Sequence, residues 1–200
     1  PWSPDRKVHF ESRGYLAFHT SRFPSKDALR KAIIADQTIN EQVRQQALEW
    51  SELFWKAYSE PLSRKLNAQS WKIVKEPKLS SEKYQAALQM SVKANALIPN
   101  SGAVLNTLGV AQYRAKKYQD ALITLKRSAQ LNAAQFGSDS LYDLVFVAMT
   151  HFQLNAKQKA AELLGKVKLA AKNAMNEDAE LDGFIKEAEM IILPGPKETE

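Results

Sequence analysis

The 200-residue sequence contains no cysteine, which excludes disulfides, cysteine-ligated zinc and thiol catalysis. Glycine and proline are few, at 7 and 8, so the chain is neither collagen-like nor a low-complexity linker. No run approaches the roughly 20 apolar residues that cross a bilayer. The longest candidate, Leu141–Leu154, is interrupted by Asp143, Thr150, His151 and Gln153, and membrane insertion is not expected. A phosphate loop, GxGxxG, GxSxG and HExxH are all missing. The three histidines, His9, His19 and His151, lie far apart and lack metal-ligand spacing. The chain is therefore read as non-enzymatic, with no catalytic residue, no metal, no cofactor and no small-molecule substrate.

Strand signals are missing too: no apolar–polar alternation is bounded by turn dipeptides. Instead Ala, Leu, Lys, Gln and Glu dominate, and 44% of residues are hydrophobic, enough to build a core. The expected fold class is all-α. Helix starts are marked by several caps. Thr38 with Glu41 fits a capping box, Ser25 precedes a short helix from Lys26 to about Asp36, and Asn100 and Ser101 precede a helix near Gly102. Ser140 with Asp143 opens another, the acid also suiting the positive end of the helix dipole. Pro61, Pro77 and Pro99 each mark a break or a start.

The sequence also matches itself. A shift of 34 superimposes Trp71 on Leu105, Val74 on Leu108, Tyr84 on Tyr118, Ala87 on Ala121 and Leu97 on Leu131. A further shift of 39 brings Leu144, Val147, Ala148, Ala160 and Leu164 into the same places, the extra residues fitting a polar loop at 133–139. Small residues at Gly109, Ala148, Ala87, Ala121 and Ala160 allow close helix approach, and leucines fill the space around them. One helix pair cannot cover its own apolar face, so pairs stack.

At these residues the chain resembles a tetratricopeptide repeat protein. The clearest unit, residues 102–133, matches the family pattern at Leu105, Leu108, Gly109, Tyr118, Ala121, Leu125 and Leu131; residues 68–101 and 141–175 form flanking units. The first of these carries Pro77 in its first helix, which is expected to be short or bent, and Asn155 in the last stands where a glycine would end the helix. The stretches LNTLGVAQYR and VAMTHFQL are similar to repeat arrays of large bacterial signalling proteins, including serine/threonine kinases. The resemblance implies a helical-hairpin solenoid, a right-handed superhelix, with degenerate or half repeats over residues 1–67. A capping helix would cover residues 176–193 and a frayed tail 194–200.

It also implies a scaffold that binds a protein or peptide on its concave face. The partner-binding residues there would be Asn106, Val110, Tyr113, Arg114, Tyr142, Phe146, Met149 and Phe152. Asn106 and Phe146 stand where a terminal-carboxylate clamp would need Lys and Arg, so an apolar segment or amphipathic helix suits this face better. A second reading stands beside it. Leu181, Phe184, Ile185, Ala188, Ile191 and Ile192 form one stripe, so the C-terminal helix could fill the groove and leave a spacer or regulatory domain.

Net charge is +6, unevenly spread: from residue 177 onward eight acids face two lysines, leaving 26 basic against 14 acidic side chains before it. Lys116, Lys117, Lys126 and Arg127, and Lys157, Lys159, Lys166, Lys168 and Lys172, fall on turns and second helices. These are read as solvating residues rather than a nucleic-acid track, which would mix arginines with exposed aromatics. The chain begins at Pro1 without a signal-peptide pattern; it reads as an excised or processed segment of a cytoplasmic protein.

Overall fold

A computed structural model describes residues 3–174 and 178–193. These form nine α-helices and a 3₁₀ turn, with no strand among the described residues. The helices are α1 (Pro4–His19), α2 (Lys26–Ala35), α3 (Glu41–Val74), α4 (Ser81–Leu97), α5 (Gly102–Arg114), α6 (Tyr118–Phe136), α7 (Leu141–Gln153), α8 (Lys157–Asn173) and α9 (Ala179–Ile192). None is long and apolar enough to cross a membrane. The residues divide into two compact units, one of 1–65 with 96–98, the other of 66–95 with 99–200. The short segment 96–98 joining the first unit was not foreseen from a sequence boundary after residue 67.

In the first unit Ser3 and Pro4 start α1, the proline at a position where its missing N–H costs nothing. Ser25 Oγ accepts from the Ala28 N–H to cap α2, as expected. The capping box at Thr38 does not form. Thr38 instead donates both its N–H and its hydroxyl to Asp36, and Asn40 Oδ1 accepts from the Val43 N–H at 2.9 Å to open α3. Both residue types compete for the same role, and Asn40 is the one adjacent to the first helical turn. Leu16, Leu29, Ile33, Ala47 and Trp55 make the core of this unit. The helix phase turns Leu53 and Ala57 outward, leaves Trp50 and Phe54 half-buried, and brings Trp55 in. Pro61 does not end α3. It sits inside the helix, with buried Ser59 and Ser63 on either side, so packing offsets the single backbone bond that proline forfeits.

In the second unit α3 ends at Val74, before Pro77, and meets α4 through small residues: Ser70 Oγ donates to the Ala87 carbonyl at 2.9 Å and lies 2.6 Å from Ser91 Oγ. Turns of three residues join α5 to α6 and α7 to α8, and each pair packs along its length, so both are antiparallel hairpins. Their closures are the same. Lys116 and Asn155 adopt left-handed φ of 61° and 62°. The Lys117 N–H bonds the Gln112 carbonyl and the Ala156 N–H bonds the His151 carbonyl, each reaching back five residues. Ala87, Ala121 and Ala160 are all fully buried, as are Leu125 and, to within 1%, Leu164. α6 packs on α7, α5 on α7, and α9 on both α7 and α8. The polar loop expected at 133–139 is shorter, because α6 continues to Phe136 and stops at Gly137, whose φ of 76° suits glycine. The tail 194–200 lies outside the described residues.

Candidate functional site

Stacking α5 beside α7 puts Val110, Tyr113, Phe146 and Met149, four of the eight expected partner-binding residues, in one apolar core with the stripe of α9, and Tyr142 and Phe152 pack against it, so this surface is not open. α9 lies across it. Val110, Phe146 and Met149 are fully buried, Tyr113 is 6% exposed and Asn106 9%, while Tyr142 and Phe152 are half-buried. An open aromatic surface, one of the two sequence readings, is therefore not what these residues present. The apolar stripe of α9 covers it because Leu181, Phe184, Ile185, Ala188 and Ile192 would otherwise face water.

The cover is specific. Phe184 sits edge-on to Phe146, Trp71 and Tyr142 at centroid distances of 5.0, 5.8 and 5.9 Å, and Tyr113 meets Phe146 in the same way at 5.7 Å. Arg114, at the end of α5, donates Nε to the Val74 carbonyl at 2.8 Å and grips Glu187 of α9 with both terminal nitrogens. Both side chains of this pair are shielded, at 6% and 12% exposure. Burial works against the Arg114 charge, but Glu187 more than offsets it, so the guanidinium pKa is raised. Glu180 accepts from Trp71 Nε1 at 3.1 Å and from Lys75 Nζ at 2.9 Å, and Glu189 pairs with Lys168 at the rim. Asp178 caps α9 through the Glu180 and Leu181 N–H groups and accepts the Tyr142 hydroxyl at 2.8 Å. The Leu181 N–H and the Tyr142 hydroxyl hold its carboxyl below the ordinary value, whereas burial and Asp178 push the Tyr142 phenol up.

Asn106 turns inward rather than toward a ligand. Its amide and that of Asn132 each donate at 2.8 Å to the two oxygens of Asp143, which is fully buried in the first turn of α7. Burial raises the Asp143 pKa, against the pull of these bonds. Beside this network a cleft of about 430 Å³ remains open, lined by Asn67, Trp71, Thr107, Phe136, Tyr142 and Glu180 among others. Asn67 Oδ1 has no hydrogen-bond partner there.

Residues the sequence did not single out are Trp71, Lys75 and Asp143 as partners across this face. Trp71 was legible as a repeat anchor, but its indole N–H bond to a residue 109 positions later was not. Of the lysine clusters, only Lys168 makes an ion pair among the described residues. Lys126 and Lys159 both bear on His151, whose pKa is lowered first by burial and then by these charges. His9 packs against Trp50 and His19 against Tyr15. No group of three or more His, Asp or Glu among the described residues is placed to hold a metal ion. No protein-family model matches this chain, and no curated protein or solved structure does either.

Proposed function

We propose that this chain is a non-catalytic protein-interaction module of tetratricopeptide-like hairpins, a regulatory domain of a larger signalling protein whose concave groove is held by its own α9. The observation that carries the reading is the Arg114–Glu187 pair. A charge buried on the inner face of a repeat is expensive unless something supplies its counter-charge, and here a separate, amphipathic helix supplies it. Of the residues that the repeat resemblance assigns to a partner, Arg114, Tyr142 and Phe146 meet α9 directly, so α9 stands in for a partner helix. A helix docked by one face, with Lys186, Met190 and Leu193 exposed on the other, is suited to local release.

Native-state hydrogen exchange on the full chain tests this. The amides of α9 are expected to open at lower free energy than those of α5 and α7, and Phe184→Ala should widen the gap. Exchange of α9 together with α5 and α7 in one global unfolding step would sink the regulatory reading and leave a permanently closed spacer.

A further inference from the structure

The groove also specifies what it takes. Glu180, Phe184 and Glu187 stand at positions i, i+4 and i+7 of α9, which at about 100° per residue fall on one narrow stripe. Each meets a feature belonging to the hairpins and to α3, not to α9. Glu180 meets the Trp71 indole N–H and Lys75, Phe184 the ring cluster of Trp71, Tyr142 and Phe146, and Glu187 the Arg114 guanidinium. Arg114 is held by the Val74 carbonyl through Nε, so its fork stays aimed at the groove whichever helix lies there.

We infer, on the strength of the function proposed above, that the partner of this groove is an acidic amphipathic helix carrying Glu, then an aromatic residue four positions on, then Glu seven positions on. Such a helix would compete with α9. The charges enforce the choice. An apolar helix without acids would strand the Arg114 cation in a shielded site, and a basic helix would add a like charge to it. The rest of the chain reinforces it, since before residue 177 basic side chains outnumber acidic ones by 26 to 14. The rim pair Lys168–Glu189, about half exposed, adds little to selection.

The test uses the full chain with Phe184→Ala and Glu187→Gln, which loosen its own α9, and a fluorescein-labelled synthetic peptide of residues 178–193. The peptide should bind this variant at least ten-fold more tightly than the wild-type chain, where the tethered α9 occupies the site at high effective concentration. A peptide with both Glu180 and Glu187 replaced by glutamine should bind the variant at least ten-fold more weakly, and its binding should fall less steeply as salt rises than that of the unmodified peptide. Equal binding of the two peptides overturns the acidic requirement while leaving an interaction groove in place. Binding of neither overturns the groove as well. Because the double variant risks unfolding, Glu187→Gln alone, with Phe184 retained and helicity checked by circular dichroism, answers the same question. There the acidic peptide must again outbind its glutamine form, or the inference fails.

Discussion

The two hairpins of the second unit, α5–α6 and α7–α8, close with the same backbone and are filled with opposite chemistry. At the crossing of the first, a Cβ on Gly109 would come within 2.5 Å of Leu125 Cγ. The equivalent Ala148 carries its Cβ fully buried against the second hairpin, where Leu164 replaces Leu125. On the inner face the first hairpin offers Asn106, Thr107 and Arg114 where the second offers Val145, Phe146 and Gln153. Behind it, Ser128 and Asn132 stand where the second has Val167 and Ala171; Ser128 Oγ bonds the Gly102 carbonyl at 2.8 Å. The difference teaches that a repeat is defined by its turn and its small crossing residues. Everything else is free to specialise: the first hairpin supplies Arg114 and the Asn106 and Asn132 amides, and the second supplies apolar depth together with the one buried acid, Asp143, that those amides meet.

The largest effect should come from exchanging that depth. Phe146→Ala removes a fully buried ring that touches Tyr113 and Phe184, and should cost about 3–5 kcal/mol. Thr107→Ala, at the equivalent place in the first hairpin, should cost no more than about 1 kcal/mol, since its hydroxyl only bonds back to Ala103 at 3.3 Å. Urea denaturation of both variants decides it, and equal losses would mean the hairpins share their load. Next, Gly109→Ala should destabilise by about 1–3 kcal/mol through overpacking against Leu125. Ala148→Gly should cost about 1 kcal/mol through helix propensity and a lost methyl contact. A Gly109→Ala variant as stable as the wild type would show that the crossing is looser than its distances say.

Smaller again is the turn. Both Lys116 and Asn155 are left-handed, but lysine is strained there and asparagine tolerates it. Lys116→Gly should therefore stabilise by up to about 1 kcal/mol. Asn155→Gly should change the melting temperature by less than half as much.

The least effect is a pH dependence carried by α9 alone. Because Asp178 titrates below its ordinary value when folded, its contribution is present above the unfolded carboxylate value near 4 and is lost as pH falls through the lower folded value. The protection of α9 amides against hydrogen exchange should fall across that acid window in the wild type and change less in Asp178→Asn. An unchanged acid response in the variant would show that Asp178 does not carry the effect.

Much of the second unit was legible before any coordinates. Ser101, Ser140 and Ser25 cap the helices they precede, and the alanines spaced by 34 and 39 are buried together. Asn155 is left-handed as its type suggests. These are local facts: a cap needs only its own first turn, and a period only a repeating geometry. Pro61 misled because a helix interior tolerates proline when its flanks are buried, which no local pattern reports. Thr38 misled because Asp36 outcompetes the helix for its hydroxyl.

The candidate site was half legible. Its residue types and the stripe on α9 could be read, but not whether Tyr113 and Phe146 would face solvent, a partner or α9. Helical character, the caps and the hairpin repeat were determined by the sequence itself, since each follows from propensity and spacing within about 40 residues. Burial of the inner face, the Asp143 network and the gripping of Glu187 by Arg114 were decided only in three dimensions. Those pairings join residues up to 109 positions apart, and nothing in a local period says which of several apolar or charged stripes will find which face.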